Sequence, residues 1–232
     1  MKKRAIFNWS GGKDSALALY KVLESNEYEI VSLLTTISDE TQQSSMHLIP
    51  TGLLEQQAAK IDIPLYKVML PSSGLEGYEN QMKKAIQHFK EIGVTHAIFG
   101  DIFLSDVKSY RENQLRPYGI EVVEPLWNKS SDEVIEDFLA SGIRTKIVVT
   151  QADKLDESFV GQDITRELIN RLPVGVDPCG ENGEYHTLVY DGPIFKQPLD
   201  FTLGKPQKLS YDIKLDSGET QTFEYWHTPI IE

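Results

Sequence analysis

Cysteine is nearly absent: Cys179 is the single one in 232 residues, so neither an internal disulfide nor a Cys-x-x-Cys metal or redox pair can form. A reducing, cytoplasmic setting is expected. Nowhere do apolar residues run to the roughly 18 that a membrane span needs. The basic start Met1-Lys2-Lys3-Arg4 is followed by an apolar stretch too short for a signal peptide. Basic residues are also scarce, 23 Lys and Arg against 35 Asp and Glu, for a formal net charge of −12. That average field repels polyanions and argues against nucleic acid as the main partner. The 40% hydrophobic and 25% charged content is that of a globular chain rather than a disordered one.

What is present alternates. Residues 4–9 form a short apolar run that stops at a glycine turn, after which Ala16, Leu17, Leu19, Tyr20 and Leu23 recur at helical spacing. Strands are expected at 30–36, 64–70, 96–99, 120–123 and 146–150, with helices at about 51–61, 78–92 and 134–139 between them. Strands alternating with helices predict an open parallel α/β sheet with helices on both faces. After about residue 172 the pattern changes: Pro173, Pro178, Pro193, Pro198 and Pro206 punctuate the chain. Residues 210–215 and 220–225, joined by Asp216-Ser217-Gly218, read as a β-hairpin. An α/β domain over 1–150 and a smaller mixed α+β part over 151–232 are expected. The sequence leaves homo-oligomer formation open.

The first strand runs directly into Ser10-Gly11-Gly12-Lys13-Asp14-Ser15. Parallel sheets bind ligands beyond the C-terminal ends of their strands. Glycines admit a phosphate close to the backbone, and the N–H groups and dipole of the following helix attract it. Lys13 adds charge, and Ser10 and Ser15 add hydroxyls. The spacing is not that of a Walker A loop, which has four residues before Gly-Lys and a Ser or Thr after it. A plain glycine turn with a polar helix cap is the alternative.

Two further stretches carry candidates. His96-Ala97-Ile98-Phe99-Gly100-Asp101 places a carboxylate just beyond a strand, where Asp101 would serve either a ligand or the cap of the next helix. Cys179-Gly180-Glu181-Asn182-Gly183-Glu184-Tyr185-His186-Thr187 sets two carboxylates three apart among glycines. Either Asn182-Gly183 is a hairpin turn with solvated glutamates, or Glu181 and Glu184 line a pocket and handle an amine or a metal. Cys179 beside them reads as a structural thiol sooner than a nucleophile. His47 stands in the loop after the second strand, behind Ser44-Ser45-Met46, open to solvent or to substrate.

The Ser10–Ser15 string resembles the PP-loop of the N-type ATP pyrophosphatases, which include GMP synthetase, NAD synthetase and several tRNA-modifying enzymes. That resemblance implies ATP cut between its α- and β-phosphates, with Mg2+ screening the leaving pyrophosphate and Asp14 organising the loop or the metal rather than acting as a base. It also implies adenosine near the end of the second strand, where Thr35 is the candidate, and Arg111 over the phosphates or the acyl-adenylate; by spacing alone Arg111 is equally a surface residue paired with an i+3 or i+4 partner on its helix. From residue 4 to about 200 the chain resembles the diphthine–ammonia ligase family, whose hallmark is Cys-Gly-Glu-Gly-Gly-Glu-[Tyr/Phe]-Glu-Thr followed by Asp-x-Pro-hydrophobic-Phe. Here these are Cys179–Thr187 and Asp191-Gly192-Pro193-Ile194-Phe195, with Gly100-Asp101-Ile102, Leu126-Trp127, Ser141-Gly142-Ile143 and Gly161 in support. Asn182 replaces a usual glycine, His186 stands where an acidic residue is common, and Asp101 where a small residue is common.

Membership would imply a short, single-catalytic-unit amide ligase. A substrate carboxylate is adenylated with release of pyrophosphate, and ammonia, entering as ammonium, displaces AMP. Lys13, Asp14, Glu181 and Glu184 would be catalytic. Ser10, Gly11, Gly12, Lys13, Asp14, Ser15, Thr35, Asp101 and Arg111 would bind ATP, while His47, Glu181, Glu184 and Thr187 would bind substrate. No metal-ligand set is legible. In the family's named reaction the acid is diphthine on translation elongation factor 2, so a protein would carry the substrate. A nucleotide-binding sensor and a PP-loop tRNA-modifying enzyme are the alternatives, the latter disfavoured by the negative charge and the lack of paired cysteines.

Overall fold

The computed structural model describes residues 1–44, 47–71, 74–214 and 220–231. Ser45, Met46, Leu215 and the expected turn Asp216-Ser217-Gly218 lie outside them. The first half alternates as expected: β1 (Lys3–Asn8), α1 (Lys13–Ser25), β2 (Tyr28–Ser38), α2 (Thr51–Ile61), β3 (Leu65–Leu70), α3 (Gly74–Glu91), β4 (His96–Ile98), α4 (Ser105–Leu115) and β5 (Glu121–Val123). These strands form one five-stranded sheet in the order β3-β2-β1-β4-β5, parallel at every pairing.

Strand alternation explains why both faces of this sheet are covered. Ala5 and Phe7 of β1, Leu33 of β2 and Ile98 of β4 enter one buried cluster, with Leu17 and Leu19 of α1 and Leu53 and Leu54 of α2. Their neighbours Ile6, Leu34 and Ala97 enter a second, with Ile86 and Phe89 of α3 and Leu115 of α4. The left-handed residues Asn26 and Asp62 end α1 and α2, satisfying carbonyls of the last turn.

The remaining elements are α5 (Ser131–Ser141), β6 (Arg144–Gln151), α6 (Arg166–Asn170), β7 (Tyr185–Asp191), β8 (Thr202–Leu203), β9 (Gln207–Lys214), β10 (Thr220–His227) and β11 (Ile230–Ile231). Here one expectation fails. The run at 146–150 is a strand but not the sixth of the parallel sheet: β6 pairs antiparallel with β7 and β10, in a four-stranded sheet ordered β7-β6-β10-β9. Ile147, Val148 and Val149 are buried in the first cluster, and an apolar run buried on both faces reads the same whichever sheet holds it. The expected hairpin is present as β9 and β10, in register from Gln207 opposite His227 to Lys214 opposite Thr220.

Strand order reverses between β1 and β4, which leave the centre of the sheet in opposite directions. The crevice beyond their C-terminal ends is where such sheets take ligands. β1 ends there at Asn8 and β4 at Ile98.

Candidate active site

Between β1 and α1 the chain turns through the glycine pair, and Gly12 is the N-cap of α1. Gly11 has φ +82°, and a Cβ on it would lie 2.7 Å from Ile49 Cδ1. A Cβ on Gly12 would fall 2.3 Å from His47 Cε1. Gly11 is therefore fixed by its left-handed conformation as well as by sterics, whereas Gly12, in extended backbone, is fixed by sterics alone. The serines close the turn: Gly12 N–H donates to Ser10 Oγ at 3.2 Å, Ser15 Oγ donates to the Gly12 carbonyl at 2.9 Å, and the two hydroxyls lie 3.0 Å apart.

The loop is held from the far end of the chain. Lys13 N–H donates to Thr187 Oγ1 at 2.9 Å, and Val189 N–H donates to the Gly11 carbonyl at 2.8 Å. Lys13 is 2% exposed, and its ammonium donates to both oxygens of Asp14, at 2.8 and 2.7 Å, and to the Cys179 carbonyl. It also lies 5.4 Å from the centroid of the Tyr185 ring. Burial alone would disfavour the charge, but Asp14, then Tyr185 and Cys179, more than offset it and hold the ammonium well above its ordinary pKa.

Around this point lies a cavity of about 720 Å³, within the range of small-molecule sites. Ser10, Lys13, Asp14, Ser15, Thr35 and His47 border it, and so do Asp101, Arg111, Glu181 and Thr187. Asp101 is not a helix cap, since α4 starts at Ser105 with Leu104 as N-cap. It forms an ion pair with Arg111, whose guanidinium lies 4.1 Å from the Phe99 ring centroid. Arg111 is thus held across the site rather than by a partner on its own helix.

The two glutamates separate. Glu181 faces the cavity, and its Oε1 accepts the Ile102 N–H at 3.0 Å. Glu184, expected beside it in the pocket, is turned away and buried at 3% exposure. Its carboxylate accepts the N–H groups of Asp177 and Asn182, both at 3.1 Å, and the Asn182 side-chain amide at 3.2 Å. A carboxylate inside a tight turn finds more donors in the turn's own backbone than in the cavity. Asn182-Gly183 is accordingly no solvated hairpin; the 177–184 segment is wrapped around Glu184. Cys179 is buried, its thiol donating to the Ser131 carbonyl at 3.3 Å, and burial pushes its pKa up to about 12. That fits packing, not nucleophilic attack.

Three residues missed in the sequence complete the arrangement. Gln57 of α2, fully buried, accepts Trp9 Nε1–H at 2.8 Å and donates to the carbonyls of Gly11 at 3.2 Å and Val189 at 2.7 Å. Tyr185 caps Lys13 and donates its hydroxyl to the Pro178 carbonyl at 2.5 Å. The ring of His186 lies 5.0 Å from that of His47.

Glu181 carries a measurable signature. Burial raises its pKa to about 7, with the charges of Asp14 and Asp177 adding to the rise and the Ile102 hydrogen bond and Lys13 opposing it. The folded chain then holds this proton more tightly than the unfolded chain, so the group's contribution to stability is lost as pH rises from 4.5 through about 7. Glu181→Gln should therefore be more stable than the parent at pH 8, with the gap shrinking by pH 5. Urea unfolding at the two pH values measures it, and a gap that grows toward acid would refute the buried carboxyl.

Among the described residues no helix is long and apolar enough to cross a membrane. Residues 1–122 match the family described as "Diphthamide synthase N-terminal domain", and residues 129–223 the one described as "Diphthamide synthase C-terminal domain". Three similar curated proteins are named diphthine–ammonia ligase. That of Schizosaccharomyces pombe is 25% identical over 83% of this chain and 35% of its own length. That of Mus musculus is 26% identical over 82% of this chain and 79% of its own. That of Homo sapiens is 25% identical over the same shares, 82% and 79%. The chain thus spans about a third of the yeast relative and about four-fifths of the mammalian ones.

Proposed function

The chain belongs to the diphthamide synthase family, and from that premise we propose that it is an ATP-dependent amide ligase. It would adenylate a substrate carboxylate with release of pyrophosphate and then let ammonia displace AMP. The observation that carries this reading is the meeting of two distant segments in one cavity: Lys13 of the glycine loop bonds through its N–H to Thr187 and through its ammonium to the Cys179 carbonyl.

In this reading the Ser10–Ser15 loop takes the β- and γ-phosphates, aided by the positive end of α1. Lys13 stabilises charge growing on the leaving pyrophosphate. Thr35 and the end of β2 border the adenosine, and Arg111, freed from Asp101, meets the α-phosphate or the acid. Mg2+ fits without a preformed cage: among the described residues no cluster of three or more acidic, histidine or cysteine ligands exists, and Mg2+ is commonly held by substrate phosphates plus one or two carboxylates. When bound it would screen phosphate charge. Glu181 draws in ammonium, and its raised pKa suits it to take the first proton. Glu184 shapes the segment that presents Glu181. The acid is proposed to be diphthine, or an acid of that kind, carried on a protein such as translation elongation factor 2.

The test is product analysis. With ATP, ammonium and a panel of protein-borne and free acids, AMP and pyrophosphate should appear in equal amounts only when an acid is present. ADP would overturn the proposed bond, and tight ATP binding without AMP from any acid would favour a nucleotide sensor.

A further inference from the structure

Turning ammonium into an amide nitrogen removes two protons, one to make the nucleophile and one after it attacks. Glu181 accounts for the first. Glu184, expected with Glu181 to handle the amine, is spent on the backbone of its own turn, so the second proton needs another base.

His47 has the required form. Its Nδ1 lies 2.7 Å from the Thr187 carbonyl oxygen. A carbonyl can only accept, so Nδ1 carries the hydrogen, and a neutral ring then leaves Nε2 as a bare lone pair. The ring borders the cavity, with Cε1 against Gly12. Burial lowers the pKa of His47 below the ordinary value, as does nearby Lys13, while the Thr187 bond and Asp14 oppose. His186, packed 5.0 Å away, is pushed down by burial to about 3, so it too is neutral. The titratable neighbours facing His47 are therefore Lys13 and Asp14 from α1 and His186 from β7. A lone pair at this position repels phosphate oxygens, which are acceptors as well. What it can meet is a ligand N–H or O–H.

We propose that His47 is the second proton acceptor of the amidation step, taking a proton from the nitrogen nucleophile through Nε2. This rests on the ligase reading above. Ammonia attacks the carbonyl carbon of the acyl-adenylate and the C–N bond forms. The C–O bond to the phosphate breaks with its electron pair leaving on AMP, and one N–H proton passes to Nε2. His186 packs against the His47 ring, 5.0 Å between centroids.

Two measurements test the proposal. In protein labelled with 15N-histidine, long-range 1H–15N spectra at pH 7, assigned through His47→Gln, should show His47 as the neutral Nδ1–H tautomer; an Nε2–H tautomer or a protonated ring overturns it. With the acid that drives AMP formation, His47→Gln should lower amide formation from ammonium chloride by at least about 10²-fold relative to pyrophosphate exchange into ATP, and added imidazole should restore part of it. Exchange in the parent with an unchanged amide-to-exchange ratio in His47→Gln sinks this proposal alone. A parent that shows no exchange with any acid sinks the ligase reading and this proposal with it.

Discussion

Lys13→Ala is expected to cut AMP formation by about 10³-fold, the order seen when one preorganised charge-stabilising group is lost from an active site, while the protein stays folded. Its ammonium lies beneath the glycine loop, 2% exposed, between Asp14, the Cys179 carbonyl and the Tyr185 ring. A cation shielded from water acts on nearby phosphate charge with little dielectric screening. Its loss also leaves the Asp14 carboxylate unneutralised where phosphates must come, so the substitution removes an attraction and exposes a repulsion. Lys13→Arg should not rescue, because the planar guanidinium has no room where a single ammonium fits between a carbonyl and a ring. AMP release measured against the parent, with thermal unfolding as control, decides it. Activity within tenfold of the parent would remove Lys13 from the reaction.

Gln57→Leu should destabilise the protein by about 3 kcal/mol. The shape is nearly kept, but Trp9 Nε1–H loses its acceptor and the carbonyls of Gly11 and Val189 lose a donor inside a fully buried space. Each buried group left unmade costs roughly 1–3 kcal/mol. Gly11 retains the Val189 N–H, so two groups are left unmade, and a total of about 3 kcal/mol lies toward the lower end of their summed cost. In a chain of this size the change corresponds to a fall of about 6–12 °C in Tm. The glycine loop, released on one side, should also bind ATP more weakly, so calorimetry on both unfolding and nucleotide binding reads two consequences of one side chain. A loss under about 1 kcal/mol would mean that the three groups find other partners.

The parallel sheet was legible because its cause is local. Apolar runs of strand length alternated with helical stripes, and α2 was expected and found over the same residues, 51–61. The glycine loop was legible because six consecutive residues carry its chemistry. What was not legible depends on contacts between distant residues. The run at 146–150 gave its conformation but not its partners, since burial on both faces is common to both sheets. Glu181 and Glu184 look equivalent in a glycine-rich string, and only the path of the turn separates the one facing the cavity from the one facing backbone N–H groups. The Asp101–Arg111 pair spans a strand end and a helix, which spacing does not connect. Two signals in the sequence point to further residues of the site. Gln57 lies on the apolar stripe of α2 with Leu53, Leu54, Ala58 and Ile61, and a polar residue on such a stripe needs buried partners. His186 departs from the acidic residue common at its place in the resembling family, and a departure there invited the question of what His47, the other histidine near the loop, was doing.

Thr187 holds Lys13 across 174 residues of sequence, and this has a consequence for how the molecule comes into being. A chain made from its N-terminus delivers the glycine loop well before the strand that clamps it, which lies far downstream. Until residue 189 has emerged, the Gly11 carbonyl lacks the Val189 N–H, the Gln57 amide lacks one of its two acceptors and the Lys13 ammonium lacks the Cys179 carbonyl. The nascent protein therefore carries a loop of the right composition but not yet of the right shape, and the loop matures only when a strand made much later has joined it.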